Sequence, residues 1–377
     1  MKLPRHPKTR QFHVSGLFSD VQCFSQLEQR IADLPTESEK GAAFEVFTEA
    51  CLSTQRIYQA TQVWPDNSMP SPVRKKLRLP LNDMGIDGVI VTSTDETISY
   101  QSKFRTGRPS LAWRELSTFY GLADCSEQKL VFTNCDRVAK VAEERLGAIF
   151  VRGNDLDRLT PEDFSIIERW LAGEPATIKR KTPRSHQVLA LHDIVSGLTR
   201  GPRATALMAC GSGKTLVALW AAEKLGARTI LILLPSLALV RQVLHEWIRE
   251  TGWKDVQFLC VCSDATVYRS EDSLIVRPSE LDFAVTTESS KVRRFLAHQT
   301  DAVRLVFSTY HSSHVIAEAI KGLPPFDFGV FDEAHKTAGR DGLKFSIALK
   351  DENIPITRRL FLTATPRHYD VAKKDKF

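Results

Sequence analysis

MACGSGKT, Met208 to Thr215, is the stretch around which the chain is organised. An apolar run, Ala204 to Leu207, precedes it, and a helix-forming run, Leu216 to Leu225, follows it. A strand, a glycine-rich loop and a helix in this order are typical of a phosphate-binding loop. The glycines let backbone N–H groups surround phosphate oxygens, and the helix N-terminus adds partial positive charge. The stretch therefore predicts a nucleotide-binding α/β domain.

Five residues of this loop are predicted to bind ATP and its Mg²⁺: Gly211, Ser212, Gly213, Lys214 and Thr215. Lys214 would reach the β- and γ-phosphates, and the hydroxyl of Thr215 would ligate Mg²⁺. The strict pattern begins with glycine, and Met208 occupies that position here, outside the part that touches phosphate. The alternative is a glycine-rich turn without function, which the flanking strand and helix disfavour.

The composition is that of an ordinary globular protein, with 377 residues of which 42% are hydrophobic and 25% charged. The length favours two domains, and the net charge of +6 weakly favours a polyanionic partner. No apolar run reaches the length of a membrane span, and the basic start is not followed by the apolar core of a signal peptide. Seven cysteines without paired spacing indicate reduced thiols, so we expect a cytoplasmic protein without a zinc site.

In the first half, a capping box formed by Thr36 and Glu39 predicts a helix that runs through about Leu52. Helical spacing predicts that three of its residues face the core: Phe44, Phe47 and Cys51. Glu45 lies beside this apolar face. Taken alone, Glu45 would be an ordinary solvated glutamate of a helix.

Two later segments, Met84 to Val91 (MGIDGVIV) and Ile98 to Phe104 (ISYQSKF), alternate in polarity and predict paired strands. Asp87 lies at the start of the first strand. Gln101 and Lys103 share one face of the second strand, because they are two residues apart. Oxygen ligands for Mg²⁺ and an ammonium that orients a water can converge in such a fold. The candidate residues of this site are Glu45, Asp87, Gln101 and Lys103.

Three motifs resemble those of the Mrr-like PD-(D/E)xK restriction endonucleases: GAAFE (Gly41 to Glu45), GIDG (Gly85 to Gly88) and QSK (Gln101 to Lys103). The resemblance implies that Glu45 and Asp87 ligate the metal and that Lys103 positions the attacking water. Gln101 stands where most of this superfamily has glutamate, and a neutral amide is a weaker Mg²⁺ ligand. The alternative is a degenerate nuclease fold that only binds DNA.

In the second half, apolar strands without alternation are each followed by an amphipathic helix, which predicts a parallel sheet covered on both faces. The predicted strands are Thr229 to Leu234, Val256 to Val261, Asp282 to Thr286 and Arg304 to Ser308. A further strand, Phe328 to Phe331, would deliver Asp332 and Glu333 at its carboxyl end, where ligands bind in open α/β sheets. Asp332 would hold Mg²⁺, and Glu333 would activate the water that attacks the γ-phosphate.

Five stretches resemble, in order, the motifs of superfamily-two DEAH-box helicases: PRSHQ (Pro183 to Gln187), LLPSLALVRQ (Leu233 to Gln242), FSTYHS (Phe307 to Ser312), DEAH (Asp332 to His335) and LFLTATP (Leu360 to Pro366). The resemblance implies that Gln187 binds the adenine edge and that the FSTYHS block touches the nucleic-acid backbone. It also implies that Thr363 and Thr365 link hydrolysis to DNA contact.

The predicted fold class is therefore α/β in both domains. A restriction-endonuclease-like α/β domain occupies residues 1–173, and a polar, basic linker follows at 174–183. Residues 184–377 form the first RecA-like lobe of a helicase, a P-loop NTPase domain with a mainly parallel sheet.

This order of nuclease and motor resembles the single-chain, type I-like (type ISP) restriction–modification enzymes and related anti-phage helicase–nucleases. The resemblance implies a Mg²⁺-dependent DNA endonuclease coupled to an ATP-dependent translocase of double-stranded DNA, acting in restriction of foreign DNA. The alternatives are a DNA- or RNA-repair helicase with a nuclease-like clamp and a non-enzymatic DNA-binding adaptor. We expect a second RecA-like lobe with its arginine finger, and methyltransferase and target-recognition domains, on downstream sequence or another chain. No membrane partner is expected.

Overall fold

The computed structural model of the chain describes residues 3–80, 85–145, 147–175, 179–262, 280–333 and 347–364. The chain divides into two units. The first comprises Met1–Lys179 and Ser279–Ala284, and the second comprises Arg180–Pro278 and Val285–Phe377. The boundary between them lies inside the predicted linker, whereas no sequence pattern indicated that Ser279–Ala284 belongs to the first unit.

The first unit is built from helices around one sheet. Its helices are α1 (Thr9–Val14), α2 (Phe24–Ala32), α3 (Glu37–Thr54), α4 (Ser71–Lys76), α5 (Ser117–Leu122), α6 (Lys140–Glu143), α7 (Gly153–Leu156) and α8 (Pro161–Leu171). Its strands are β1 (Ala60–Pro65), β2 (Gly88–Thr92), β3 (Thr97–Lys103), β4 (Gln128–Thr133) and β5 (Ala148–Val151).

These strands form a sheet in the order β1-β2-β3-β4-β5. Strands β1 to β3 pair antiparallel, with Ile90 opposite Ile98, and β3 to β5 pair parallel. The predicted pairing of the two alternating segments is confirmed. However, β2 begins only at Gly88, so Asp87 precedes the strand, and Met84 lies outside the described residues.

Helix α3 packs its apolar face on this sheet. Thr36 caps the helix by accepting a hydrogen bond from the Glu39 N–H at 3.2 Å, as predicted. The predicted core residues of α3 are fully buried: Phe44, Phe47 and Cys51. The ring of Phe44 lies 5.6 Å from that of Phe104, just beyond the carboxyl end of β3. This packing places Glu45, the next residue of α3, towards the end of the sheet where β3 stops.

The second unit contains a larger sheet. Its helices are α9 (Ser185–Arg200), α10 (Lys214–Lys224), α11 (Leu237–Glu250), α12 (Ser289–Ala297) and α13 (Ser313–Ala319). Its strands are β6 (Arg203–Leu207), β7 (Thr229–Leu234), β8 (Val256–Val261), β9 (Val285–Thr286), β10 (Val303–Thr309), β11 (Phe326–Phe331) and β12 (Ile356–Thr363).

The seven strands follow the order β6-β12-β11-β7-β10-β8-β9, and their pairs are parallel. This confirms the predicted α/β fold with a mainly parallel sheet. The predicted strand Asp282 to Thr286 is wrong in its first three residues. Ala284 packs against the hydrophobic core of the first unit, so only Val285–Thr286 remain to pair with β8.

Among the residues that the structure describes, no helix combines the length and the apolar composition that a membrane crossing requires.

Candidate functional sites

The glycine loop of the second unit lies between β6 and α10. Gly211 and Gly213 have φ angles of 76° and 79°, a left-handed conformation that glycine adopts without strain. Gly213 is the residue before α10, and its carbonyl accepts the N–H groups of Leu216 and Val217 at 3.0 and 3.1 Å. The loop therefore ends at the N-terminus of α10, where the N–H groups of the first helical turn lack helical partners and are available to bind phosphate.

Lys214, the first residue of α10, contacts both predicted acidic partners. Its Nζ lies 3.3 Å from Oδ1 of Asp332 and donates a short hydrogen bond to Oε1 of Glu333. Burial acts to lower the pKa of Lys214, but the hydrogen bond to Glu333 and the two negative charges raise it above its ordinary value. Lys214 is thus a firmly protonated cation beside two carboxylates.

Asp332 and Glu333 follow β11 directly. The Asp332 N–H donates to the carbonyl of Leu233 at 3.0 Å, and burial raises the pKa of the Asp332 carboxyl although Lys214 acts to lower it. Glu333 has a φ angle of 51°, which costs a residue other than glycine about 1–3 kcal/mol. Ala334 and His335, the remainder of the DEAH motif, lie outside the described residues.

Thr215 and Asp332 border the same small cavity, whose other lining residues are apolar, Trp247 and Leu362 among them. The indole of Trp247 donates to the carbonyl of Thr215 at 3.0 Å, which holds the first turn of α10 against α11. A hydroxyl and a carboxylate are hard oxygen donors of the kind that Mg²⁺ prefers. The chemistry of these two side chains, though not the apolar cavity between them, is compatible with the predicted Mg²⁺ of a nucleotide.

Gln187 is buried against the loop. Its Nε2 donates to the carbonyl of Ser212 at 2.9 Å, and its Oε1 accepts the N–H of Arg184 at 2.9 Å. A Cβ on Gly213 would lie less than 3.0 Å from the same Nε2, so this contact also requires glycine at position 213. Both ends of the Gln187 amide are engaged within the protein. Binding of an adenine edge would require it to release one partner.

The helicase resemblance placed Tyr310 in a block of residues that touches nucleic acid. Sequence reasoning did not predict that this side chain is buried. Tyr310 is fully buried, and its hydroxyl donates to the carbonyl of Asp332 at 2.8 Å. Burial raises its pKa well above the ordinary value. Tyr310 therefore supports the Asp332 backbone. Thr363 ends β12 and is buried, and Thr365 lies outside the described residues.

In the first unit, side chains of β3 pack closely against both glycines of the GIDG motif. Gly85 has a φ angle of 100°, and a Cβ there would lie 3.1 Å from Nε2 of Gln101. A Cβ on Gly88 would lie less than 3.0 Å from the Trp64 carbonyl oxygen and from the Tyr100 hydroxyl. The motif therefore brings the loop before β2 into direct contact with β3.

Asp87, between these glycines, is fixed by β3. Its N–H donates to the carbonyl of Tyr100 at 3.0 Å, and its Oδ2 accepts the N–H of Ser102 at 2.6 Å. Gln101 is 2% exposed and donates through Nε2 to the carbonyl of Gly85 at 2.7 Å. Its Oε1 is buried and has no hydrogen-bond donor among the described residues. A buried acceptor without a donor beside a carboxylate suits a cation.

Tyr100 lies within the electrostatic reach of both Glu45 and Asp87. Burial raises the pKa of the Tyr100 hydroxyl well above its ordinary value. Four nearby carboxylates raise it further: those of Glu49, Asp87, Glu45 and Asp66. One of the two predicted metal ligands comes from α3 and the other from the loop before β2, and the charge of each contributes to this rise of the Tyr100 pKa.

Glu45 has a partner that the sequence did not indicate. Nε2 of His6, a buried residue near the amino terminus, lies 3.1 Å from its Oε2. Lys103 ends β3 and is half-buried, two residues beyond Gln101. Among the described residues, no group of three or more His, Cys, Asp or Glu side chains could hold a metal ion. A metal site here would therefore need the Gln101 amide oxygen in addition to the carboxylates of Glu45 and Asp87.

Comparison with known proteins relates mainly the second unit to helicases. A sequence model of the family described as "Type III restriction enzyme, res subunit" matches residues 180–368. The chain is 31% identical over 173 residues to the probable helicase A859L of African swine fever virus (isolate Tick/Malawi/Lil 20-1/1983). It is 31% identical over 172 residues to the same protein of isolate Tick/South Africa/Pretoriuskop Pr4/1996. Each match covers 45% of this chain and 18% of the relative.

A solved structure resembles the fold over both units. It is described as the ATP-dependent type ISP restriction-modification enzyme LlaBIII bound to DNA. The TM-score is 0.72 at 24% sequence identity, and the match covers 92% of this chain and 23% of the other. The chain thus spans about a fifth of the length of these relatives. These likenesses confirm the predicted relation to superfamily-two helicases of restriction enzymes, whereas the Mrr-like nuclease stays a prediction.

Proposed function

Because the chain belongs to the family of the type III restriction enzyme res subunit, and so contains a helicase-type ATPase domain, we propose that it is a nuclease coupled to a motor. In this proposal, the second unit is part of an ATP-dependent translocase of double-stranded DNA. The first unit is a Mg²⁺-dependent DNA endonuclease. The enzyme serves restriction of foreign DNA. Its relatives, a probable helicase and an ATP-dependent restriction-modification enzyme bound to DNA, support these activities.

The contact of Lys214 with Asp332 and Glu333 is the main observation that supports the proposed motor function. The glycine loop and Lys214 bind the phosphates of ATP, and Thr215 and Asp332 hold its Mg²⁺, which supplies positive charge to the γ-phosphate. Glu333 orients the attacking water and accepts its proton. A phosphate that binds at the loop competes with both carboxylates for the Lys214 ammonium. Once Lys214 contacts the phosphate, the Glu333 carboxylate is free to orient the attacking water.

The buried Gln101 amide beside Asp87 supports the proposal for the nuclease. Asp87, Glu45 and the Gln101 carbonyl oxygen would hold Mg²⁺, which neutralises the scissile phosphate and activates a water. Lys103, at the end of the same strand, positions that water. Ser102 holds the Asp87 carboxylate in place through its N–H, so the ligand is oriented before DNA binds.

Two observations favour a second candidate, in which the first unit clamps DNA without cutting it. Gln101 contributes no charge, and the described residues contain no cluster of three metal-binding side chains. Such a protein would be a repair helicase with an unchanged ATPase site, which only the absence of cleavage separates from the first candidate, or a non-enzymatic DNA-binding adaptor, which would neither cleave DNA nor hydrolyse ATP.

The proposed partners are double-stranded DNA, a second RecA-like lobe, and methyltransferase and target-recognition domains. A second lobe supplies the arginine that stabilises the charge of the transition state, which is worth about 10³-fold or more in rate. The chain matches only 18% of its viral relatives and 23% of the solved restriction enzyme, so such domains are proposed on further sequence or on another chain.

Plasmid nicking and ATPase measurements test the proposal. The protein is incubated with supercoiled plasmid and increasing Mg²⁺, beside a sample with EDTA, and ATP hydrolysis is measured with DNA, RNA or neither. We expect Mg²⁺-dependent nicking and ATPase activity that DNA stimulates and RNA does not. Stimulation by DNA without nicking at any Mg²⁺ concentration would support the clamp instead, and stimulation by RNA would indicate an RNA helicase.

A further inference from the structure

Residues 4–8, which we call the amino-terminal arm, lie against α3. The N–H groups of Arg5 and His6 donate to the two carboxylate oxygens of Glu49 at 2.8 and 3.0 Å. Glu49 is only 1% exposed, so these bonds satisfy a carboxylate that burial would otherwise make costly. The arm is therefore an integral part of the first unit.

The Arg5 side chain attaches the arm to the edge strand β1 as well. Its guanidinium donates to the carbonyl of Val63 at 3.0 Å and to Oε1 of Gln62 at 2.9 Å. It also stacks on the indole of Trp64, with 3.4 Å between the guanidinium carbon and the ring centroid. Since both α3 and β1 hold the arm, the position of the next residue, His6, is well defined.

His6 is directed at Glu45. Glu45 and Glu49 are four residues apart on α3 and so lie on the same face of the helix. The arm bonds to Glu49 through its backbone, and Nε2 of His6 lies 3.1 Å from Oε2 of Glu45. Nδ1 of His6 accepts the N–H of Lys8 at 3.3 Å. An accepting Nδ1 leaves the ring proton on Nε2, so His6 donates to Glu45.

We propose that His6 is a positioning residue for the metal ligand Glu45, an inference that rests on the proposed nuclease function. A donor on Oε2 fixes the orientation of the carboxylate and leaves Oε1 for the cation. A long glutamate side chain otherwise loses rotamer freedom when it binds a metal, which weakens the affinity. Such supporting hydrogen bonds are typically worth about 10–100-fold in metal affinity.

A purely structural role for His6 predicts a different outcome. The residue is 8% exposed and could serve only to fill space between the arm and α3. An apolar side chain of similar volume would then replace it without effect on metal binding. The donor on Nε2 matters only if His6 acts through Glu45.

The test compares His6→Leu, which keeps the volume and removes the donor, with His6→Gln, which keeps an N–H at about the same reach. The control is His13→Gln, at a half-buried histidine of α1. Mn²⁺ binding is measured by the loss of the free-ion signal in electron paramagnetic resonance, with the whole chain. Thermal unfolding without metal and plasmid nicking against Mn²⁺ concentration are measured in parallel.

We expect His6→Leu to weaken Mn²⁺ binding by about 10–100-fold and to shift the nicking curve to higher metal concentration, with little change in the saturated rate. His6→Gln and the control should bind Mn²⁺ like the wild type. Wild-type affinity in His6→Leu, or an equal loss in His6→Gln, would overturn the proposal. If His6→Leu does not fold, His6→Asn, whose amide is too short to reach Glu45, replaces it.

The measurements also separate this inference from the proposed function. If the wild type binds Mn²⁺ in a His6-dependent manner but never nicks DNA, the nuclease function is wrong and the positioning role stands. If the wild type nicks DNA and His6→Leu has the same Mn²⁺ dependence, the nuclease function stands and the role of His6 is wrong. A wild type that binds no Mn²⁺ contradicts both.

Discussion

The two candidate sites differ in how their charges are balanced. At the glycine loop, Lys214 is paired with Asp332 and Glu333, so the site contains its own counterion and an incoming phosphate must compete for it. In the first unit, the charges of Glu45 and Asp87 both contribute to the raised pKa of the buried Tyr100, and Nε2 of His6 contacts Glu45. The first arrangement suits an anion bound by a lysine, whereas the second leaves net negative charge and suits a metal cation.

In the first unit, the largest expected effect is at Asp87. Asp87→Asn keeps the size of the side chain and an acceptor for the Ser102 N–H but removes the charge that a metal requires. Mg²⁺-dependent plasmid nicking should fall by more than about 100-fold, since the metal supplies both charge neutralisation and the activated water. Asp95→Asn, at an exposed turn between β2 and β3, is the matched control and should cut like the wild type. Nicking by Asp87→Asn at the wild-type rate would show that the cleavage centre lies elsewhere.

A smaller loss is expected at the glycine loop. Lys214→Ala removes the cation that faces the phosphates, and ATP affinity measured by calorimetry should fall by about 10–100-fold, the equivalent of one or two charge-assisted hydrogen bonds. Lys224→Ala, at the exposed far end of α10, should leave the affinity unchanged. Equal binding by Lys214→Ala and the wild type would refute the assignment of the loop.

Glu333→Gln should have the opposite effect to Lys214→Ala on ATP binding, while it lowers hydrolysis. The change removes one of the two negative charges that hold Lys214, so ATP should bind at least as tightly as in the wild type. Hydrolysis should fall by about 10²–10⁴-fold, the range expected for loss of a general base. Binding and single-turnover hydrolysis measured on the same preparation separate the two effects. A parallel loss of both would mean that Glu333 has a structural role.

The glycines of the two nuclease-like motifs should respond oppositely to alanine. Gly88→Ala places a Cβ against the Trp64 carbonyl and the Tyr100 hydroxyl, and overpacking of this kind costs about 1–3 kcal/mol. Gly41→Ala lies within α3, where the added Cβ would meet no atom within 4 Å beyond the neighbouring residues and backbone of the helix, and should stabilise the helix by about 0.5–1 kcal/mol. Hydrogen exchange of peptides from β2 and α3 measures both changes. Equal effects would contradict the close approach at Gly88.

The smallest expected effect is the pH dependence caused by Asp332. Burial raises the pKa of this carboxyl above its ordinary 3.8. The folded state therefore binds the proton more tightly than the unfolded state, and this stabilisation is complete below the ordinary pKa. It is lost as the pH rises through the raised pKa. The stability of the second unit, measured by hydrogen exchange, should fall across this window in the wild type and not in Asp332→Asn.

Much of the motor site could be predicted because its chemistry is local in the sequence. The glycine loop, the strand before it and the helix after it follow one another directly, and the two carboxylates follow one strand. Parallel strands end at the same edge of the sheet, so the sequence order alone placed Lys214 near Asp332 and Glu333. The short contact between Lys214 and Glu333, the left-handed backbone of Glu333 and the buried hydroxyl of Tyr310 depend on packing across several strands, which sequence spacing does not encode.

The sequence by itself determined the α/β class of the chain, the capped helix that carries Glu45, the paired strands that carry Gln101 and Lys103, and the helicase motifs in their order. Periodicity and turn chemistry act over a few residues, so these features are visible without a fold. Only the tertiary structure decided that His6 reaches Glu45, that Gly88 is required by Tyr100, and that Ser279–Ala284 belongs to the first unit. These contacts join residues far apart in the chain, and they arise because buried polar groups and closely packed side chains must find partners wherever the fold brings them together.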